Sequence, residues 1–275
     1  MNKEIFQKSL NDNRNLIDKK AISYFTDKYK LVEPLVYAMD SGKRIRANLY
    51  LETLKMFNKV ITDLDLNFAL ALEMVHAYSL VHDDLPAMDD DDMRRGKASL
   101  HIKFGEDIAI LTGDALLNEA SSLIFDLASE NLDYSKAGRY LFEHTGYKGM
   151  VEGQVLDLRC PNDYNKDYLL NVYDKKTSDL FKASIVSAAI VSNCSDQKVK
   201  KLEEFAYNLG LAYQIQDDLL EDSYTDELNI LNVLDKSAAI KLLDDINKKA
   251  KSSILEFENN DFLLFLIDYL SVREK

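Results

Sequence analysis

The order of apolar and polar residues along the chain predicts long helices. Leu66 to Val81 is apolar on nearly every face, which is typical of a helix buried at the centre of a bundle. Leu180 to Val191 repeats this pattern with small residues, so that neighbouring backbones can approach closely. Glu203 to Asp222 is a third strongly predicted helix. Amphipathic spacing predicts further helices in the segments 107–130, 136–158 and 237–258.

The composition agrees with long elements and few turns. Among 275 residues only 9 are Gly and 3 are Pro, which favours an all-α protein over a sandwich or barrel. Pro34 and the segment Asp40-Ser41-Gly42 are predicted to break the first helical region. No internal repeat or Pro/Ser-rich linker divides the chain. Residues 1–275 are therefore predicted to form a single domain of about ten or more helices.

The charge and the chain start exclude several classes of protein. The net charge of −13 argues against nucleic-acid binding, which needs clustered Lys and Arg. Cys160 and Cys194 lie far apart without a second Cys or His at metal spacing, so two reduced thiols are expected. Met1 to Lys20 contains no apolar run, and no stretch of about 18 uncharged apolar residues predicts a membrane span. The chain is predicted to be cytoplasmic.

The first acidic cluster follows the most apolar helix. It holds six carboxylates within ten residues, from Asp83 to Asp92. Pro86 disfavours helix at the preceding residue, so Asp83 and Asp84 should lie at the C-terminal end of the helix. The helix dipole is negative there, and the carboxylates also repel one another. Oxygen-only ligands that need a cation point to Mg²⁺.

The second acidic cluster contains Asp217, Asp218, Glu221 and Asp222. At helical spacing its members form like-charge pairs that cost roughly 0.2–0.5 kcal/mol each without a metal. A single acidic run is usually a solvated face. Both clusters, however, grow out of apolar helices and both begin with an Asp-Asp pair. We therefore expect them to converge on a shared cavity as a multi-metal cage for a polyanion.

Short basic segments supply the complementary charge. They are Gly42-Lys43-Arg44-Ile45-Arg46, Arg94-Arg95 and Lys175-Lys176-Thr177. Together with the carboxylates they suit two phosphate-bearing ligands, one held through Mg²⁺ and one held directly. A rival interpretation is a di-iron site, because Glu73 and His76 form a Glu-x-x-His unit. That site needs two such units and two more glutamates, and only one unit is found. His82 and His101 are equally compatible with buried hydrogen-bonding roles.

Several motifs contain the acidic and basic clusters or lie between them in the sequence. They occupy residues 42–46, 76–89, 103–105, 113–117, 149–158, 175–177 and 213–218. On these motifs the chain resembles the trans-isoprenyl diphosphate synthases, most closely the short-chain bacterial farnesyl diphosphate synthases. The resemblance runs from about Gly42 to Asp222. It implies an orthogonal helical bundle with a central cavity, a homodimer, and condensation of an allylic diphosphate with isopentenyl diphosphate.

The resemblance also implies a role for individual residues. The Mg²⁺ ligands, for three ions with substrate bound, would be Asp83, Asp84, Asp89, Asp217, Asp218 and Glu221. Isopentenyl diphosphate would be held by Gly42, Lys43, Arg46, His76 and Arg95. The allylic diphosphate would contact Arg94 and Lys176, while Thr177 and Gln214 would flank the developing cation. Tyr78 and Ser79 would form the floor that limits chain length, although Tyr78 as plain core packing remains open.

The sequence also departs from the family pattern. Glu221 stands where the family usually has Asp, and no Lys occurs between Asp222 and Lys236. The basic C-terminus Arg273-Glu274-Lys275 is similar to the family's tail. The expected product is farnesyl diphosphate. Geranylgeranyl diphosphate synthesis and a weakly active or regulatory subunit remain alternatives, whereas a terpene cyclase is disfavoured by the Asp-Asp pair of the second cluster.

Overall fold

The structure is a computed structural model, which describes residues 1–26, 28–40, 42–221 and 228–271. These residues form thirteen α-helices, one short hairpin, one π-helical turn and one 3₁₀ turn. The α-helices are α1 Lys3–Tyr24, α2 Val32–Met39, α3 Ile45–Met56, α4 Asp63–Asp83, α5 Leu100–Phe104, α6 Glu106–Glu130, α7 Leu132–Thr145, α8 Met150–Leu158, α9 Lys166–Tyr173, α10 Asp179–Val191, α11 Asp196–Glu221, α12 Lys236–Ile254 and α13 Asp261–Ser271. The hairpin pairs β1 Met93–Arg94 with β2 Lys97–Ala98. The predicted all-α class is confirmed.

The described residues form two compact units. The first unit comprises the described residues of Gln7–Leu51 and Ile61–Ser135. The second unit comprises Met1–Phe6, Glu52–Val60 and the described residues of Lys136–Lys275. The first acidic cluster belongs to the first unit and the second cluster, as far as Glu221, to the second unit.

Helix α4 is the core helix of the first unit, as its sequence predicts. Thr62 and Asp65 form a reciprocal capping box at its start. The Asp65 carboxylate is fully buried and accepts a hydrogen bond of 2.7 Å from the Tyr134 hydroxyl. The helix ends at Asp83 with Asp84 as its C-cap, so the predicted position of the Asp-Asp pair at a helix end is confirmed. Its long apolar face packs mainly against α6.

Two predicted boundaries were wrong. Segment 136–158 is not one helix, because α7 ends at Thr145 and α8 begins at Met150. A Cβ on Gly149 would overlap the carbonyl oxygen of His144, so glycine permits this close turn. Pro34 breaks no helix either. It lies in the first turn of α2, where its missing N–H costs no intrahelical hydrogen bond.

The second unit packs α9, α11 and α12 around one apolar cluster. Its members are Leu169, Tyr173, Leu211, Ala212, Ile215, Ile230, Ala239, Leu243 and Ile246. Helices α9 and α10 follow each other without a break, joined by the π-helical turn Asp174–Ser178. A π-turn inside an α-helix is rare and often marks a functional site.

Length and composition alone would allow α4 and α6 to cross a membrane. In the most apolar 18-residue window of α4, 67% is buried in the fold, and in that of α6, 39% is buried. For α4 this is the burial of a core helix. The absence of a membrane span therefore stays a prediction. Cys160 and Cys194 are free cysteines, as expected.

Candidate active site

The two carboxylates of the first Asp-Asp pair, Asp83 and Asp84, lie in different environments. Asp84 is only 3% exposed and accepts a hydrogen bond of 2.8 Å from Nε of Arg94. A second nitrogen of Arg94 donates to the same carboxylate and, at 2.8 Å, to Asp91. Burial raises the pKa of Asp84, although the Arg94 charge opposes that effect. Asp83, in contrast, is partly exposed.

Asp89 lies next to Asp83 through the backbone. The Asp89 N–H donates to the Asp83 carbonyl oxygen at 2.9 Å, which folds the acidic segment back onto the end of α4. Asp89 and the following aspartates are exposed. The backbones of Asp83 and Asp89 therefore lie close together at the end of α4, and their role as Mg²⁺ ligands stays a prediction.

The hairpin after this segment carries both predicted arginines. Arg95 and Gly96 form its two-residue turn with φ of 54° and 75°. Positive φ at both positions is the signature of a type I′ turn, in which a non-glycine residue is strained. The hairpin is attached to α2 by the Tyr37 hydroxyl, which donates to the Ala98 carbonyl at 2.7 Å, and by an ion pair between Lys97 and Asp40. Arg94 and Arg95 line an open cleft beside α4.

The three basic residues of segment 42–46 differ in how deeply they are buried. Arg44 has a φ of 53° and is buried, with its guanidinium 2.8 Å from Asp18 and 3.6 Å from Glu73. Arg44 is therefore paired within the fold with the partly exposed Asp18 and the buried Glu73, and it is not among the residues assigned to isopentenyl diphosphate. Lys43 is exposed and Arg46 partly exposed.

Glu73 and His76 belong to this basic region and not to a di-iron site. Glu73 is buried, and its carboxylate also accepts the Ala47 N–H at 3.0 Å, which fixes the start of α3. Burial lowers the pKa of His76 well below its ordinary value, and the charges of Arg46 and Arg95 lower it further. His76 is thus a neutral imidazole among arginines.

The predicted floor residues lie on α4 before Asp83. Tyr78 is buried, and its ring meets that of His82 edge-on at 6.0 Å between centroids. Burial and the nearby Asp83 raise the pKa of Tyr78 to about 12, so it stays a neutral phenol. Ser79 is partly exposed and donates to the His76 carbonyl at 2.9 Å.

In the second unit the π-turn carries Lys176 and Thr177. The Lys176 ammonium pairs with Asp157, and the Thr177 hydroxyl donates to Gln214 at 3.1 Å. A Cβ on Gly153 would overlap the Lys176 backbone nitrogen, so α8 approaches the turn with no space to spare. Asp157 was missed as a partner, although it lies within the motif 149–158.

The two carboxylates of the second Asp-Asp pair, Asp217 and Asp218, also differ in burial. Asp218 is only 2% exposed and accepts hydrogen bonds from the Tyr173 hydroxyl, from Gln214 at 3.2 Å and from the Ile230 N–H at 2.7 Å. Burial raises its pKa to about 6, although these neutral donors oppose that rise. Asp217 is partly exposed. Glu221 accepts a hydrogen bond of 3.3 Å from Asn229.

The donor set fits Mg²⁺ at some predicted ligands better than at others. Asp83, Asp89 and Asp217 are partly or fully exposed carboxylates, which suits a hard cation that keeps water and substrate phosphate ligands. Asp84 and Asp218 are buried and bonded to protein donors. No three His, Cys, Asp or Glu side chains form a ready-made metal group in the described ranges. Asp222, Ser41 and the C-terminal Arg273, Glu274 and Lys275 lie outside the described residues.

Known proteins are similar to this chain over nearly its whole length. The polyprenyl synthetase family pattern matches residues 28–238. A farnesyl diphosphate synthase of Micrococcus luteus is 36% identical, with 98% of this chain and 100% of the relative covered. The corresponding Bacillus subtilis enzyme is 32% identical over 96% of this chain and 97% of the relative. The crystal structure of an FPP/GFPP synthase from Zymomonas mobilis has a TM-score of 0.90 at 28% identity, covering 96% and 98% of the two chains. The chain therefore belongs to the polyprenyl synthetase family.

Proposed function

We propose that this chain is a Mg²⁺-dependent prenyltransferase that joins dimethylallyl or geranyl diphosphate head-to-tail to isopentenyl diphosphate, with farnesyl diphosphate as the product. The observation that carries the proposal is the family match over residues 28–238. Two relatives of nearly equal length are named farnesyl diphosphate synthase. Plant relatives named geranylgeranyl synthases cover a smaller share of their own length, 72% and 74%, so the longer product is less favoured.

Asp83, Asp89 and Asp217 would hold the magnesium, which when bound neutralises the charge of the departing diphosphate. Arg94 and Lys176 add fixed positive charge to the allylic diphosphate. Gly42, Lys43, Arg46, His76 and Arg95 bind isopentenyl diphosphate. Since His76 is neutral, it donates one N–H without adding charge. Thr177 and Gln214 flank the allylic cation with oxygen atoms, and the lost proton leaves with the diphosphate.

The finer properties belong to the same proposal. Three magnesium ions act with substrate bound, two copies of the chain form a homodimer, and the enzyme is a cytoplasmic single-domain protein. The missing Lys after the second cluster supports the rival of a weakly active or regulatory subunit.

A product assay distinguishes these readings. The pure protein is incubated with isopentenyl diphosphate and each allylic diphosphate, with and without Mg²⁺, and released diphosphate and product length are measured. Mg²⁺-dependent release with a fifteen-carbon product supports the proposal. No release with any partner favours the subunit rival, and a twenty-carbon product changes only the chain-length assignment.

The buried Tyr78 gives a sharper test of product length. Tyr78→Ala removes the bulk of a side chain that is 8% exposed, so the growing chain should extend past it and longer products should appear. Ser79→Ala, one residue closer to Asp83, removes only a hydroxyl from the other predicted floor residue and should lengthen the product much less than Tyr78→Ala. An unaltered product profile in Tyr78→Ala would reduce Tyr78 to core packing.

A further inference from the structure

An ion-pair cluster links the π-helical turn Asp174–Ser178 to α10. The Lys182 ammonium lies 2.5 Å from a carboxylate oxygen of Asp174 and 3.0 Å from one of Asp179. The side chains of Lys182 and Asp179 are 11% and 9% exposed. Burial lowers the pKa of Lys182, but its hydrogen bond to Asp174 and the charges of both carboxylates outweigh burial and raise it. Lys182 therefore stays charged and joins the first residue of the turn to the helix that follows.

The pair of Asp174 with Lys182 depends on the turn that it spans. Helix α9, the turn and α10 follow one another without a break. In a regular α-helix, residues eight positions apart point about 80° away from each other. A π-turn inserts one extra residue, which brings the two side chains to within about 20° of the same direction. The pair with Asp179, in contrast, has ordinary i,i+3 spacing within α10. The Asp174 pair therefore favours the π-turn over a regular helix.

The turn is also packed closely on two sides. A Cβ on Gly153 of α8 would lie 2.3 Å from the Lys176 backbone nitrogen, and a Cβ on Gly210 of α11 would lie 2.5 Å from the Ser178 Cα. Both helices thus contact the backbone of the turn directly. These contacts restrict sideways movement, whereas Lys182 restrains the turn along the helix axis.

The turn carries the two side chains that the proposed function assigns to the allylic substrate. The Lys176 ammonium pairs with Asp157 on α8, and the Thr177 hydroxyl donates to Gln214 on α11 at 3.1 Å. Because the two partners lie on different helices, both contacts form together in only one register of the turn. A residue that holds this register therefore also holds Lys176 and Thr177.

We propose that Lys182 is a positioning residue which, through Asp174, holds the π-turn in the register that presents Lys176 and Thr177 to the allylic diphosphate. Lys182 contacts no reacting group itself. The link to the allylic diphosphate rests on the proposed function, whereas the effect on the turn does not. Lys182 lies outside the motifs found in the sequence, and its role follows from its carboxylate partners.

The first experiment measures the turn without catalysis. Backbone hydrogen exchange of residues 174–182 is followed in the full chain for the wild type, K182M, K182R and K201M. K182M keeps the apolar stem but removes the charge, so exchange should become about tenfold faster. K182R keeps the charge and should stay within about threefold of the wild type. K201M breaks the ion pair with Glu256 in the same unit, and as the matched control it should leave exchange of the turn unchanged.

The two carboxylates sharpen this test without a change at Lys182. D174N removes the pair that spans the turn and should speed exchange as much as K182M does. D179N removes only the i,i+3 pair, and its effect should stay below about threefold. The double variant D174N/K182M should exchange no faster than either single variant, because all three lack the same pair. Unchanged exchange in K182M and D174N, or an equal effect of D179N and D174N, overturns the inference.

The second experiment separates positioning from general stability. KM is measured for dimethylallyl diphosphate and for isopentenyl diphosphate at saturating Mg²⁺. K182M displaces Lys176, so KM for the allylic diphosphate should rise by about tenfold, while KM for isopentenyl diphosphate stays within about twofold. K182R should restore most of the loss. An equal rise of both KM values, or no rescue by K182R, overturns the positioning role.

Failure of the proposed function gives a different result. A wild type that turns over no allylic diphosphate overturns the proposed function together with the substrate named here, even where hydrogen exchange shows that Lys182 holds the turn. A wild type that turns over its substrates, with the allylic KM unchanged in K182M, overturns only the inference.

Discussion

The two Asp-Asp pairs have the same sequence but are held by different chemistry. In the first unit Asp84 is neutralised by the guanidinium of Arg94, and in the second unit Asp218 is surrounded by the uncharged donors of Tyr173, Gln214 and Ile230. Both carboxylates are buried, at 3% and 2% exposure. In each pair the preceding aspartate, Asp83 or Asp217, stays partly exposed.

The two pairs show that adjacent carboxylates at a helix end can lie in different environments. A helix end that presents one carboxylate outward turns the next by about 100°, which directs it into the fold. A buried carboxylate must then be satisfied. The first unit satisfies it with a charge and the second with neutral groups, and burial raises the pKa of Asp218 to about 6.

The largest expected effect separates the exposed from the buried members of the pairs. D83N and D217N should each lower kcat by about 10²–10³-fold, the size of a lost charge-stabilising group. D84N and D218N change buried carboxylates that are already bonded to protein donors, and they should lower it by about tenfold. Steady-state kinetics at saturating Mg²⁺ measure all four. A D84N variant as impaired as D83N would contradict the division of roles.

Stability should distinguish the charged from the neutral arrangement. D218A leaves the buried Tyr173 hydroxyl and the Ile230 N–H without this acceptor, at about 1–3 kcal/mol for each donor. D84A leaves Arg94 still paired with Asp91 and within reach of water. The free energy of unfolding should therefore fall by about 2 kcal/mol more in D218A than in D84A. Urea denaturation tests this, and equal losses would show that the type of partner does not matter.

Glycine substitutions extend the comparison to backbone packing. In G153A the new Cβ overlaps the Lys176 backbone, which cannot move alone, so a loss of about 1–3 kcal/mol is expected. In G42A the Cβ lies 3.0 Å from the ends of the Arg44 and Arg95 side chains, of which at least Arg95 can shift. G42A should thus cost less in thermal denaturation. The reverse order would mean that the π-turn is the more adaptable site.

The smallest effect concerns His76 in the basic region of the first unit. Its pKa in the folded protein is far below the ordinary value of about 6.5. Below about pH 6.5 the imidazole of His76 binds a proton in the unfolded chain but stays neutral in the folded chain. The free energy of unfolding therefore decreases as the pH falls. From about pH 7.5 to about pH 5.5 the wild type should lose about 1 kcal/mol more than H76Q. Parallel curves for the two proteins would contradict a depressed pKa.

Local sequence rules predicted the elements that carry the acidic clusters. The apolar run 66–81 and Pro86 gave the end of α4, because both act within a few residues. The pairing of Arg44 with Asp18 on α1 spans 26 positions, so local patterns could not predict it. The hydrogen bond from Tyr173 to Asp218 spans 45 positions, and no local spacing signals it. Helical periodicity also missed the break between α7 and α8. The close turn there depends on the absence of a Cβ at Gly149, which the apolar pattern does not indicate.

The π-turn between α9 and α10 has a consequence for how the gene can vary in length. A π-turn is in effect one residue added to an α-helix. Deleting any one residue between Asp174 and Ser178 would leave an unbroken α-helix, yet would rotate everything on one side of the deletion by about 100°. Lys176 and Thr177 could then no longer both meet Asp157 and Gln214. Natural selection should therefore remove single-residue deletions in Asp174–Ser178, although such a deletion would not reduce the helical content of this segment.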